Sequence, residues 1–178
     1  EANHQMVALL EDDYASFSGW LYGRPGVQAH VAEIRGFVAA GEDLYDLVQL
    51  ALVDAFGAAS AGLPALNESY LYTVEAIEDF LTRSAPGGLV AITRWLKLPP
   101  RDSIKLLATA AQALRRSGFA DPGRHLVLIR GWKTTTLLIK NGAFSDSEIA
   151  AVKRFSDARS FDLAYIPGIT PGEANRYN

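Results

Sequence analysis

The residue best placed to do chemistry is Asp54, which closes the run Tyr45-Asp46-Leu47-Val48-Gln49-Leu50-Ala51-Leu52-Val53. A near-continuous apolar run of this kind reads as a strand buried on both faces, and open α/β sheets bind ligands beyond the carboxyl ends of such strands. A carboxylate there accepts a hydrogen bond from a substrate amine or orients a cationic group; the competing reading is an Asp that caps the following loop. That loop, Ala55 to Pro64, holds the small residues Gly57 to Gly62, which permit close backbone approach. Leu66-Asn67-Glu68-Ser69-Tyr70-Leu71-Tyr72 comes next. Tyr70 there either borders a pocket or packs in the core, and Asn67 or Ser69 either meets a ligand or caps a helix.

A second acid, Glu33, follows the segment Val27 to Ala32. At a strand end it accepts from an amino group or a ribose hydroxyl; at a helix start it simply stabilises the N-terminus. Arg94 and Trp95, at the end of another predicted strand, either line the same crevice as Asp54 or sit at an edge. Glu1 has no role that its position alone suggests. His4, His30 and His125 are widely scattered without ligand spacing, so no metal site is expected. No G-x-S-x-G elbow supports a serine nucleophile, and Gly87-Gly88 precedes a strand, which makes it a turn and not a phosphate loop.

These residues need elements to position them. Asn3 is placed to cap a helix whose apolar residues Met6, Leu10, Tyr14 and Phe17 recur at helical spacing up to Gly19. Val27 to Ala32 reads as a short strand, Ile34 to Ala40 as a helix stopped by Gly41, and Tyr45 to Val53 as the central strand. Ser69 to Thr82 reads as a helix, and Pro86-Gly87-Gly88 breaks the chain before a strand from Leu89 to Trp95. Asp102 is placed to cap a helix that carries Ile104, Leu107, Ala111 and Leu114 and stops at Gly118. The runs His125 to Arg130 and Thr134 to Lys140 are too close for a parallel crossover, which predicts an antiparallel hairpin. Ser145 with Glu148 is a capping box for a last helix to about Arg159, and Phe161 to Ile166 adds a strand. The sum predicts one α/β domain over residues 1–178: a mostly parallel sheet ending in an antiparallel hairpin, the end pattern of the class I methyltransferase-type Rossmann-like sheet.

Composition narrows the function classes. The chain has 178 residues, 49% hydrophobic and 21% charged, with a net charge of −3, ordinary for a soluble globular protein. No dense Lys/Arg block marks a nucleic-acid surface. The absence of cysteine rules out disulfides, thiolate zinc sites and cysteine nucleophiles, and makes the cytoplasm the default location. No apolar run approaches the roughly 20 residues that cross a bilayer, so any membrane attachment would come through parts outside this chain. Glu1 as first residue and Asn178 as last suggest a piece of a longer protein.

Taken together, Tyr45-Asp46 opening a strand, Asp54 at its end, the small-residue loop, Leu66 to Tyr70 and Pro86-Gly87-Gly88 resemble the spermidine synthase family of polyamine aminopropyltransferases, and its divergent bacterial members in particular. The resemblance runs from Glu1 to about Lys140. It implies a co-substrate, S-adenosylmethionine or its decarboxylated form, no metal, and a small-molecule amine or methyl acceptor. It further implies that Glu1 binds the ribose, that Glu33 contacts the adenine side where the family usually has Asp, and that Tyr70 shapes the substrate pocket. The family's catalytic strand ends in two aspartates three residues apart that bind and deprotonate the amine; Asp54 matches the second, and Ala51 stands at the first. Aminopropyl transfer needs an unprotonated amine, and an alanine can neither hold a polycation nor take a proton. Ala55 also replaces the usual Pro, and the Gly-rich turn after the family's first strand is absent, since the chain starts too late to hold it. Such a truncated sheet is expected to bind cofactor weakly or not at all and to pair with a second copy through its exposed edge. Two rivals share these residues: a small-molecule methyltransferase, which needs no acid at Ala51, and a degenerate nucleoside-binding or interaction module, which Ala51 favours.

Overall fold

A computed structural model describes residues 3–53 and 70–173, which form two compact units divided between Gly41 and Glu42. The first unit opens with helix α1 (His4–Glu11), whose N-cap Asn3 accepts a hydrogen bond from the Gln5 amide at 2.9 Å. The helix stops at Asp12, well short of Gly19. Glu11, Asp12 and Asp13 place three acids where the helix end is already negative, and Phe17 is 87% exposed, so no packing rewards a continuation. Val27 to Ala32, expected as a strand, is irregular: no ladder partner satisfies it among the described residues, and strand propensity without a partner does not make a strand. Helix α2 (Ile34–Ala40) follows and ends at Gly41.

The second unit is mixed α/β. Its elements are β1 (Tyr45–Ala51), a 3-10 turn (Tyr70–Tyr72), α3 (Val74–Thr82), β2 (Ser84–Trp95), α4 (Arg101–Arg116), β3 (Leu126–Arg130), β4 (Thr134–Lys140), α5 (Asp146–Ala158) and β5 (Asp162–Tyr165). The five strands order as β1-β2-β4-β3-β5. Only β1 and β2 pair in parallel among the described residues, and β2 with β4, β4 with β3 and β3 with β5 are antiparallel. The expected mostly parallel sheet is therefore corrected to a mostly antiparallel one. Its cause is local: the three residues Gly131 to Lys133 can only turn the chain back on itself, and the chain leaving α5 runs against β3.

Pro86-Gly87-Gly88 lies inside β2 instead of preceding it. Tyr45 pairs with Ser84 and Leu47 with Leu89, so the intervening residues of β2 bulge out of the ladder. Gly87 has φ +81°, and a Cβ on Gly88 would stand 2.9 Å from the carbonyl oxygens of Ala85 and Tyr45, so both positions demand glycine.

Pairing fixes which residues share a face. Val90, Ile92, Leu137 and Ile139, all fully buried, look toward the layer made by α3 and α4. Ser103 of α4 anchors that layer by sharing a 3.1 Å hydrogen bond with Thr135 of β4. The helix start expected at Ser69 lies outside the described residues; α3 itself begins at Val74 after the 3-10 turn, with Thr73 capping it through the Ala76 amide, and Asp102 sits in the first turn of α4 while Pro100 occupies its cap. Helix α5, with Ser145 and Glu148 forming the anticipated capping box, covers the opposite face, where Val127, Phe144 and Ile166 are its buried centre.

Candidate functional site

The parallel pair β1 and β2 ends at Ala51 and Thr93, which are register partners, and Leu52 adds one more bond from its amide to the Thr93 carbonyl at 3.0 Å. The row continues across the sheet: Thr93 opposes Thr136 of β4, and Thr136 opposes Ile129 of β3. The hydroxyls of Thr93 and Thr136 share a 2.9 Å hydrogen bond. One step beyond, the Arg94 guanidinium stacks over the Tyr72 ring, 4.2 Å from its centroid. The carboxyl end of the parallel pair is thus bordered by a cation, a tyrosine and two hydroxyls, while Ala51 presents an exposed methyl group where the resemblance has an aspartate.

Behind this row the sheet and α5 do not close. Ile129, Thr136 and Leu138 form the floor, and Val152, Phe155 and Phe161 the wall, of an apolar groove of about 430 Å³. Phe155 and Phe161 lean on each other with centroids 5.9 Å apart, and Arg159 stacks on Phe155 at 4.3 Å. On the same face β1 leaves Leu47 52% exposed.

Helix α5 is tied down by ion pairs in its first turn and near its middle. Lys140 of β4 donates to both carboxylate oxygens of Glu148 at 2.6 Å, and with the Ser145 amide it pushes the Glu148 carboxyl down to about 2. At the other side Lys153 pairs with Glu173, whose carboxyl is likewise lowered to about 2 by that lysine and by the Thr170 amide. Both shifts come from donors to the ionised form, as in structural ion pairs.

Of the four residues singled out in the sequence, Asp54 and Glu1 lie outside the described residues. Glu33 belongs to the first unit and acts as the N-cap of α2, its carboxylate accepting from the Arg35 amide at 3.1 Å and the Gly36 amide at 2.7 Å. Tyr70 opens the 3-10 turn after residue 69 and is 59% exposed, beside Leu71, which is buried. Arg94 and Trp95 do sit at the strand end. His125 is buried against Phe119 at 4.5 Å, while His30 is exposed with its ring 4.8 Å from that of Phe37. Among the described residues no three His, Asp or Glu side chains gather in a way that could hold a metal ion, and no helix is long and apolar enough to cross a membrane. The groove residues escaped the sequence reading; an aromatic on each side of the α5 stop, Phe155 and Phe161, was the available signal.

No family model and no curated protein matches the chain.

Proposed function

We propose that the second unit is the sheet end of a Rossmann-like, class I methyltransferase-type transferase of the spermidine synthase kind, and that the protein modifies a small-molecule amine or methyl acceptor with S-adenosylmethionine or its decarboxylated form. The observation carrying this reading is strand direction. β1, β2 and β3 run one way, and β4, the last of these four in the chain, is threaded between β2 and β3 the other way. That is the end pattern of such sheets, and ligands of open α/β sheets gather at the carboxyl ends of the parallel strands. Here those ends are Ala51 and Thr93, with Arg94 and Tyr72 beside them. In this reading Asp54 holds the acceptor amine and Tyr70 borders its pocket.

Ala51 favours methyl transfer over aminopropyl transfer within this reading. Its exposed methyl group supplies neither charge for a polyamine nor a base for its nitrogen, whereas an acceptor that is already nucleophilic needs only orientation. Calorimetry of the full-length protein with each form of the cofactor, followed by product analysis with putrescine, separates the cases. Heat with the decarboxylated form and release of methylthioadenosine supports aminopropyl transfer; heat with S-adenosylmethionine alone supports methyl transfer. A folded protein giving heat with neither overturns both and leaves an interaction module. In the aminopropyl case Ala51→Asp, which restores the acid, raises turnover by about 10²-fold, the low end of general-base effects.

A further inference from the structure

The groove under α5 is a second site, and we infer that it binds an amphipathic carboxylate, with an aliphatic chain lying between α5 and the sheet and the carboxylate beside Arg159. Its volume of about 430 Å³ falls within the roughly 300–1,000 Å³ of small-molecule sites. Its lining selects for an apolar body: Ile129, Leu138, Val152, Phe155 and Phe161 offer no hydrogen bond, and the Thr136 hydroxyl already shares one with Thr93. A polar ligand would lose its water there without replacement.

One cation stands against the groove's wall. Arg159 lies over the ring of Phe155, a wall residue, and no ion pair among the described residues engages it. An arginine laid flat on an aromatic keeps the edge of its guanidinium free for a carboxylate. An apolar trough with a cation at its border matches a chain with one anionic head, and it matches neither a polyamine nor a neutral polar metabolite.

The test needs no cofactor, so its outcome is independent of the transferase reading. Calorimetric titration compares decanoate with decanol on the full-length protein and on two variants. Leu138→Phe fills the groove floor and is expected to weaken both ligands at least tenfold without lowering Tm; Ala151→Phe, from the exposed helix side of the same groove, serves if the first variant fails to fold. Arg159→Gln is expected to weaken decanoate about fivefold, in keeping with a solvent-exposed ion pair, and to leave decanol unchanged. Absence of saturable decanoate binding, or equal binding by the filled variant, overturns the site. Equal loss of decanol in Arg159→Gln overturns the assignment of the anionic head.

Discussion

The two faces of the sheet are finished differently. Toward α3 and α4 the described side chains are withdrawn from water: Ile77, Phe80, Leu114, Leu137 and Ile139 are fully buried, and even the polar pair Ser103 and Thr135 is satisfied. Toward α5 the floor is Ile129, Thr136 and Leu138, all partly exposed, with a groove above them and Leu47 bare at the β1 edge. One helix cannot cover what two cover. The sealed face therefore holds the fold, and the open one has room for a ligand; the alternating burial of β4 from Thr134 to Lys140 records both in one strand.

Truncation separates the faces most sharply. Phe80→Ala is expected to cost about 3–5 kcal/mol in urea unfolding, because its site is closed on all sides and cannot collapse. Phe155→Ala, at 43% exposure, should cost about 1 kcal/mol, since much of its surface is never taken from water. Comparable losses would show that the groove is packed shut in solution. Enlargement gives the next largest contrast. Leu137→Phe has no space and should cost about 1–3 kcal/mol, whereas Leu138→Phe, its neighbour on the other face, should change stability by less than about 0.5 kcal/mol. A large penalty at both positions would remove the distinction.

Much of this frame is legible in the sequence wherever one local interaction decides the outcome. Asn3, Ser145 with Glu148, Gly41 and the short link from Gly131 to Lys133 all act within a few residues, and each does what its chemistry predicts. Long-range choices are less visible. Val27 to Ala32 carries strand-like residues but finds no partner, and Tyr14 and Phe17 repeat at helical spacing with no core to meet. The bulge at Gly87 and Gly88 looks like a break because a sequence does not say that Asn141 will accept from the Gly87 amide across the ladder. The groove was hidden for the same reason: Leu138 differs from Leu137 only in which side of β4 it occupies. At the strand end, Ala51, Thr93 and Arg94 could be placed from the pattern, while the stacking of Arg94 on Tyr72 depends on where the chain re-enters after β1.

The smallest contrast is in response to acid, because the open face is fastened at its border by ions. Glu148 has its carboxyl lowered from 4.5 to about 2, first by Lys140 and then by the Ser145 amide. A carboxyl lowered on folding contributes stability that is full above its unfolded value and is lost as pH falls through the folded one. Here the window runs from about 4.5 down to about 2. Because the Glu148 side chain is 42% exposed, screening limits the contribution to at most about 1 kcal/mol. Glu148→Gln should therefore be less stable than the parent at pH 6 and should approach it at pH 2.5, measured as urea midpoints. Glu75, bridged to Arg116 between α3 and α4, is also lowered, but that pair ties helix to helix on top of an apolar layer and leaves the sheet contact untouched. Acid should thus loosen the α5 layer before the α3 and α4 layer, and amide exchange at pH 3 should open α5 ahead of α4. Simultaneous opening would mean that the sealed face, and not the ion pairs, controls both.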